Sequence, residues 1–236
     1  MIQLDPSRVS RLLSPDARLR SGSGSGINGK FDACIMQAVD WLAGGAGESD
    51  SPECADHAIT RFCIRLNDAT RFAEWRDELK PFAVRVVGTR SVDPTVLQRR
   101  GYMSADWAVR EVAPKAFDFY AELRPAKREQ YEAWAAKLRG VAPIVDKETA
   151  HAAHAGMNEV RAAAYAAAAA YAVAVAYAAG SAASYAAEYA ATAAYAVEYE
   201  AEYAATAARP RAKAFSRELW EMSLAHLDRM IRVTEA

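Results

Sequence analysis

The sequence predicts an all-α protein, a helical bundle that carries one long Ala/Tyr-rich helix or a helical hairpin. Three observations carry that expectation. Apolar residues recur at alternating three- and four-residue intervals in segment after segment, the period of a helix with one buried face. Residues 162–208, AAAYAAAAAYAVAVAYAAGSAASYAAEYAATAAYAVEYEAEYAATAA, are nearly all alanine, the residue with the highest helix propensity. The strand-like run FAVRVVG is short and has no obvious partner, so it reads as helical or irregular.

The elements follow in order, in three regions. Residues 1–30 hold one short helix and then SGSGSGING (21–29), a flexible connector whose glycines and serines offer nothing to pack. Residues 31–146 form a helical domain. In KFDACIMQAVDWLAGG, Phe31, Ile35, Ala38, Val39 and Leu42 mark an apolar face that Gly44 and Gly45 end. The loop GGAGESDSPECAD leads to a second helix with Ile59, Phe62, Cys63, Leu66, Ala69 and Phe72 at the same spacing. SADWAVREVAPKAFDFYAEL reads as a helix capped by Ser104 and kinked or broken at Pro114. PAKREQYEAWAAKLRG has Pro in its first turn and Gly at its end, and VAPIVD is a loop. Residues 147–236 begin with a helix near Lys147 that runs into the alanine segment. Arg209-Pro210 stops that segment, and 212–233 form an amphipathic helix with Phe215, Leu219, Met222, Leu227 and Ile231, packing on the helical domain.

Composition narrows the function. The 29 Lys+Arg and 30 Asp+Glu nearly cancel, which argues against a dedicated nucleic-acid or membrane-surface protein. Three cysteines are too few for a disulfide scaffold and point to the reducing cytoplasm. The alanine segment is long enough to span a bilayer, but Ser181, Ser184, Glu188 and Thr192 interrupt it and Glu198, Glu200 and Glu202 end it. That chemistry suits a helix in water.

On a helix at about 100° per residue, Tyr171, Tyr177, Tyr185, Tyr189, Tyr195, Tyr199 and Tyr203 fall within one third of the surface; Tyr165 does not. The opposite side holds Ala179, Ala183, Ala186, Ala190 and Ala194. The small face lets another helix approach closely. The tyrosine face, with Glu188 and Thr192 among its rings, suits a half-wet boundary, because a Tyr ring can be buried while its OH stays hydrated. A straight rod would reach roughly 70 Å; Gly180-Ser181 is where a hairpin would turn. Four Glu and no Lys or Arg in this segment exclude it as a phosphate-binding surface.

Candidate chemistry is sparse. Cys34, Cys54, His57 and Cys63 could form a Cys3His zinc set, at a spacing that matches no standard finger; as apolar-face residues, Cys34 and Cys63 read equally as inert buried thiols. Alternatively Cys34, in the first turns of its helix, is a nucleophile with His57 as base and Asp56 or Asn67 as orienter. DACIMQAV with a distant His loosely resembles papain-type thiol hydrolases, whose His lies on a β-sheet absent from this prediction. Glu148, His151 and His154 make a weak E-x2-H-x2-H arrangement, and His226 has no obvious partner. RLRSG and QRR are small basic patches read as solvated surface.

CIMQAVDWLAGG, SDSPECADHAITRFCIRLNDA, LKPFAVRVVGTR, YMSADWAVREVAPKAF and LAHLDRMIRV, in this order, resemble a group of uncharacterised alanine-rich helical proteins of actinobacterial phages and prophages. The likeness covers most of 31–123 and the last helix, with an insert of variable content between; Gln37 stands where an acidic residue is expected. The resemblance implies a phage or prophage origin and no catalytic residue or cofactor. The resulting expectation is a non-enzymatic protein that associates with itself or with a host or viral protein. The alternative is a thiol-dependent hydrolase or zinc-binding protein centred on Cys34 and His57.

Overall fold

The computed structural model describes residues 2–22, 24, 27, 31–157 and 208–234, excluding the side chains of 154–157, 208 and 209. Its helices are α1 (Pro6–Leu13), α2 (Ile35–Leu42), α3 (His57–Asp68), α4 (Lys80–Val86), α5 (Pro94–Trp107), α6 (Ala113–Leu123), α7 (Arg128–Arg139), α8 (Lys147–Met157) and α9 (Ala208–Arg232). A 3-10 segment, Thr70–Leu79, joins α3 to α4, and a π-helical turn, Ala108–Val112, joins α5 to α6. The fold is all-α, as the apolar spacing predicts.

Local chemistry sets most boundaries. Asp5, Asp56 and Asp93 cap α1, α3 and α5 by accepting from backbone N–H groups of the first turn, and each satisfies an otherwise orphan donor. Gly44 ends α2 with φ +102, a conformation that Gly adopts without steric cost. The run FAVRVVG lies in and just past α4, whose Pro81 sits in the first turn.

Several expectations need correction. Ser104 caps nothing: Asp93-Pro94 opens α5, and Ser104 is buried within it. Pro114 does not break the chain; the π-helical turn just before it absorbs the missing backbone bond, and the helix continues. Pro210 is helical, within α9, and the alanine segment that Arg209-Pro210 is expected to stop lies outside the described residues. The Gly/Ser stretch is anchored at its described residues. Gly22 N–H donates to Asp68 Oδ1 (2.8 Å), Gly24 N–H to Gln37 Oε1 (3.0 Å), and Ile27 is buried. On either side of it a two-residue parallel bridge pairs Arg18 with Asp32 and Leu19 with Ala33.

One apolar core runs through these elements. Leu12 of α1 is buried in it, while Arg8 and Arg11 lie over the Trp41 ring at 5.2 and 5.6 Å. Phe62 and Leu66 of α3, Trp107 of α5 and Leu219, Trp220, Leu227 and Met230 of α9 are fully or almost fully buried. Each such side chain contributes about 1.5–3 kcal/mol. The helices α6 and α7 pack along each other through Phe117, Tyr120, Tyr131 and Trp134, with ring centroids 5.5–6.2 Å apart. Among the described residues no helix is long and apolar enough to cross a membrane.

Candidate functional site

The sequence-predicted cysteines are drawn into structure. Cys34 is the N-cap of α2: its Sγ accepts from Gln37 N–H (3.4 Å), and Gln37 Oε1 accepts from Cys34 N–H (3.0 Å). This reciprocal pair is a capping box with sulfur in the usual hydroxyl position. It also accounts for Gln37, which is almost fully buried and uses the same Oε1 to hold Gly24. Burial raises the Cys34 thiol pKa despite the bond from Gln37, so desolvation outweighs the helix N-terminus. Cys63 is fully buried in α3, and burial pushes its thiol up as well. Cys54 is half-buried, with its thiol raised for the same reason.

His57 is exposed at the first position of α3, and neither proposed orienter serves it. Asp56 Oδ1 accepts from Ala58 and Ile59 N–H, while Oδ2 faces Arg100. Asn67 donates to Arg20 O. Among the described residues no three His, Cys, Asp or Glu side chains gather to hold a metal, so Cys34, Cys54, His57 and Cys63 do not form the zinc set. His151 is exposed, and the His154 side chain lies outside the described residues. So do the predicted interaction face, Tyr171, Tyr177, Tyr185, Tyr189, Tyr195, Tyr199 and Tyr203, and the predicted packing face, Ala179, Ala183, Ala186, Ala190 and Ala194.

The structure assembles two polar nodes that sequence reading missed. Arg100, one of the residues of the QRR patch taken as solvated, is only 2% exposed. Its Nε donates to Met230 O (3.0 Å), Nη1 to Thr89 O (3.0 Å) and Nη2 to Val233 O (2.7 Å), and Nη1 lies 2.9 Å from Asp56 Oδ2. One guanidinium thus ties the start of α3, the α4–α5 loop and the end of α9. It supplies the orphan carbonyls of a helix C-terminus with a cation.

One turn further along α5, Ser104 meets His226 of α9. Ser104 has one proton, and its Oγ faces two acceptors for it, Arg100 O (2.8 Å) and Met230 Sδ (3.6 Å). His226 Nε2, 3.1 Å from that Oγ, is therefore the N–H donor. Nδ1 then keeps its lone pair and faces Arg229 Nη2 at 3.4 Å, while Arg229 is held by Glu111 at 2.9 and 3.2 Å. The ring stacks on Trp107 with centroids 4.5 Å apart and planes 9° from parallel. Phe62 covers it at 5.3 Å. Ser104 and His226 are both wholly inaccessible, and burial lowers the His226 pKa well below its ordinary value. A Ser–His pair in this polarity cannot activate the serine, because the ring nitrogen nearest Oγ already carries a proton. It is a packing device.

A cleft of about 310 Å³ lies between α5 and the loop before α8, walled by Tyr102, Met103, Ile144 and Val145. Its carboxylate, Asp106, accepts from Ile144 N–H (2.9 Å) and pairs with Arg110. These bonds fix the loop before α8 and occupy that carboxylate, while Arg99 brings a cation to the same lining. No protein-family model, curated protein or solved structure matches this chain.

Proposed function

We propose that this chain is a non-enzymatic cytoplasmic protein of the alanine-rich phage or prophage type, acting through association with a second copy of itself or with a host or viral protein. The observation that carries the reading is the two-faced pattern of 162–208, set between two helices seated in the core. Ala150 and Ala153 of α8 and Ala212 and Phe215 of α9 are buried. A folded body thus anchors both ends of a segment whose alanine side suits close helix–helix approach. Its four carboxylates, without a balancing cation, favour a protein partner over nucleic acid. The body supports the same reading in a second way: Cys34, the nucleophile of the alternative reading, is occupied as a helix cap.

Light scattering on the full chain across a concentration series tests this. The expected result is a mass above the monomer that rises with concentration and falls in the Ala186→Leu/Ala190→Leu double variant. A strict monomer at high concentration, with the double variant folding and melting as wild type does, removes self-association.

A further inference from the structure

A second cleft, of about 460 Å³, lies where the α4–α5 loop meets the end of α9. Val87, Val96 and Ile231 give it an apolar lining, and Arg85, Arg90 and Arg100 line it too, with no Asp or Glu among the described lining residues. That is a local surplus of positive charge on a chain of net charge −1.

The partners of those arginines define what the cleft can accept. Arg85 pairs with Asp228, but the same carboxylate also serves Arg232 (2.8 Å), so one anion is divided between two cations. Arg100, buried in the lining, has five N–H groups. One goes to Met230 O, two face Thr89 O and Asp56 Oδ2, and one goes to Val233 O, leaving an Nη2 hydrogen unassigned. Arg90 is exposed, and among the described residues its guanidinium makes no hydrogen bond or ion pair. The end of α9 would ordinarily repel an anion through its carbonyls. Here two of those carbonyls are already taken by Arg100.

We propose that this cleft binds a small organic anion, a carboxylate or phosphate attached to a short apolar group. Arg90 and the free Nη2 hydrogen of Arg100 take the oxygens, and the valine and isoleucine lining takes the apolar part. A guanidinium fork matches either oxyanion in a bidentate manner. A volume of this size is that of an ordinary small-molecule pocket. The site is independent of residues 158–207, so it stands or falls separately from the association reading.

The test is calorimetric titration of the full chain at fixed ionic strength with phenyl phosphate, hexanoate, inorganic phosphate and hexanol. The expected result is saturable one-to-one binding of phenyl phosphate or hexanoate, with the tighter of the two naming the oxyanion. Inorganic phosphate should bind at least about tenfold more weakly, because it buries no apolar group. Arg90→Ala should weaken binding by about tenfold or more and leave the melting temperature of the unliganded protein unchanged. Arg90→Lys should recover part of the loss. Binding of hexanol as tight as hexanoate, equal binding by Arg90→Ala, or no saturation with any probe overturns the proposal.

Discussion

Replacing His226 with Phe should flatten one part of the protein's pH–stability curve. In the folded state the ring is enclosed by Trp107, Phe62 and Ser104, and its one free lone pair faces a cation, Arg229. Burial first, and the Arg229 charge second, hold its pKa well below the usual 6.5. The unfolded chain takes up the proton near that ordinary value, while the folded chain refuses it. The sign follows. Above about pH 6.5 both states are neutral and His226 adds no pH dependence; as pH falls below it, the unfolded state gains protons and stability drops. The limiting slope is about 1.4 kcal/mol per pH unit, so moving from pH 7.5 to pH 5 removes at most about 2 kcal/mol. The lowered carboxylates Asp5, Asp93, Asp146 and Asp228 start from 3.8. They therefore lose their stabilisation below this window. The assay is urea unfolding of wild type and His226→Phe at pH 7.5, 6.5, 5.5 and 5. The variant keeps an aromatic surface for Trp107 but has no titrating group, so the wild-type-minus-variant difference should fall as pH drops below about 6.5, by up to about 2 kcal/mol across the series. A difference that stays flat would mean that His226 is hydrated or charged in the folded protein, and the assignment of a dry, neutral ring between Trp107 and Phe62 would be wrong.

Arg100→Met alone should cost about 3–5 kcal/mol in urea unfolding, because it strands the buried Asp56 carboxylate. Combining it with Asp56→Asn, which keeps an N-cap acceptor without the charge, should return a measurable part of that loss. Brief iodoacetamide labelling of the native protein, read by mass spectrometry, should modify Cys54 first, Cys34 slowly and Cys63 only on unfolding, in the order of their burial. Fastest labelling at Cys34 near neutral pH would refute its assignment as a cap and revive it as a nucleophile.

How much was legible in the sequence depended on which residues carried the information. The apolar faces of α2 and α3 were readable because Ile35, Val39, Phe62 and Leu66 declare their burial by type and spacing. FAVRVVG was read correctly against its β-branched residues, because a lone short run cannot find ladder partners. The polar nodes were not readable. Arg100 looks like a surface residue in the string QRR, and only the arrival of α9 from the far end of the chain buries it. His226 lacked a partner in sequence because Ser104 is 122 residues away. Ser104 itself misled, since serine before a helical pattern is a good cap signal; Asp93-Pro94, eleven residues upstream, was the stronger one. The parallel bridge between Arg18–Leu19 and Asp32–Ala33 has no sequence signature at two residues a side. The predicted site on the tyrosine face falls among residues outside those the structure describes.

The placement of α9 has a consequence for how the chain is made. Phe62, Phe72 and Trp107 are covered by His226 and Trp220, side chains synthesised well after them. A ribosome adding about 5–20 residues per second needs roughly 5–20 s to travel from the end of α6 to the end of α9. Throughout that interval the apolar surfaces of α3 and α5 lie open and the Arg100 guanidinium waits for the Met230 and Val233 carbonyls that do not yet exist. Assembly of this body is therefore a late event dominated by distant pairings, and a nascent chain stalled before residue 208 should be sticky and in need of a chaperone.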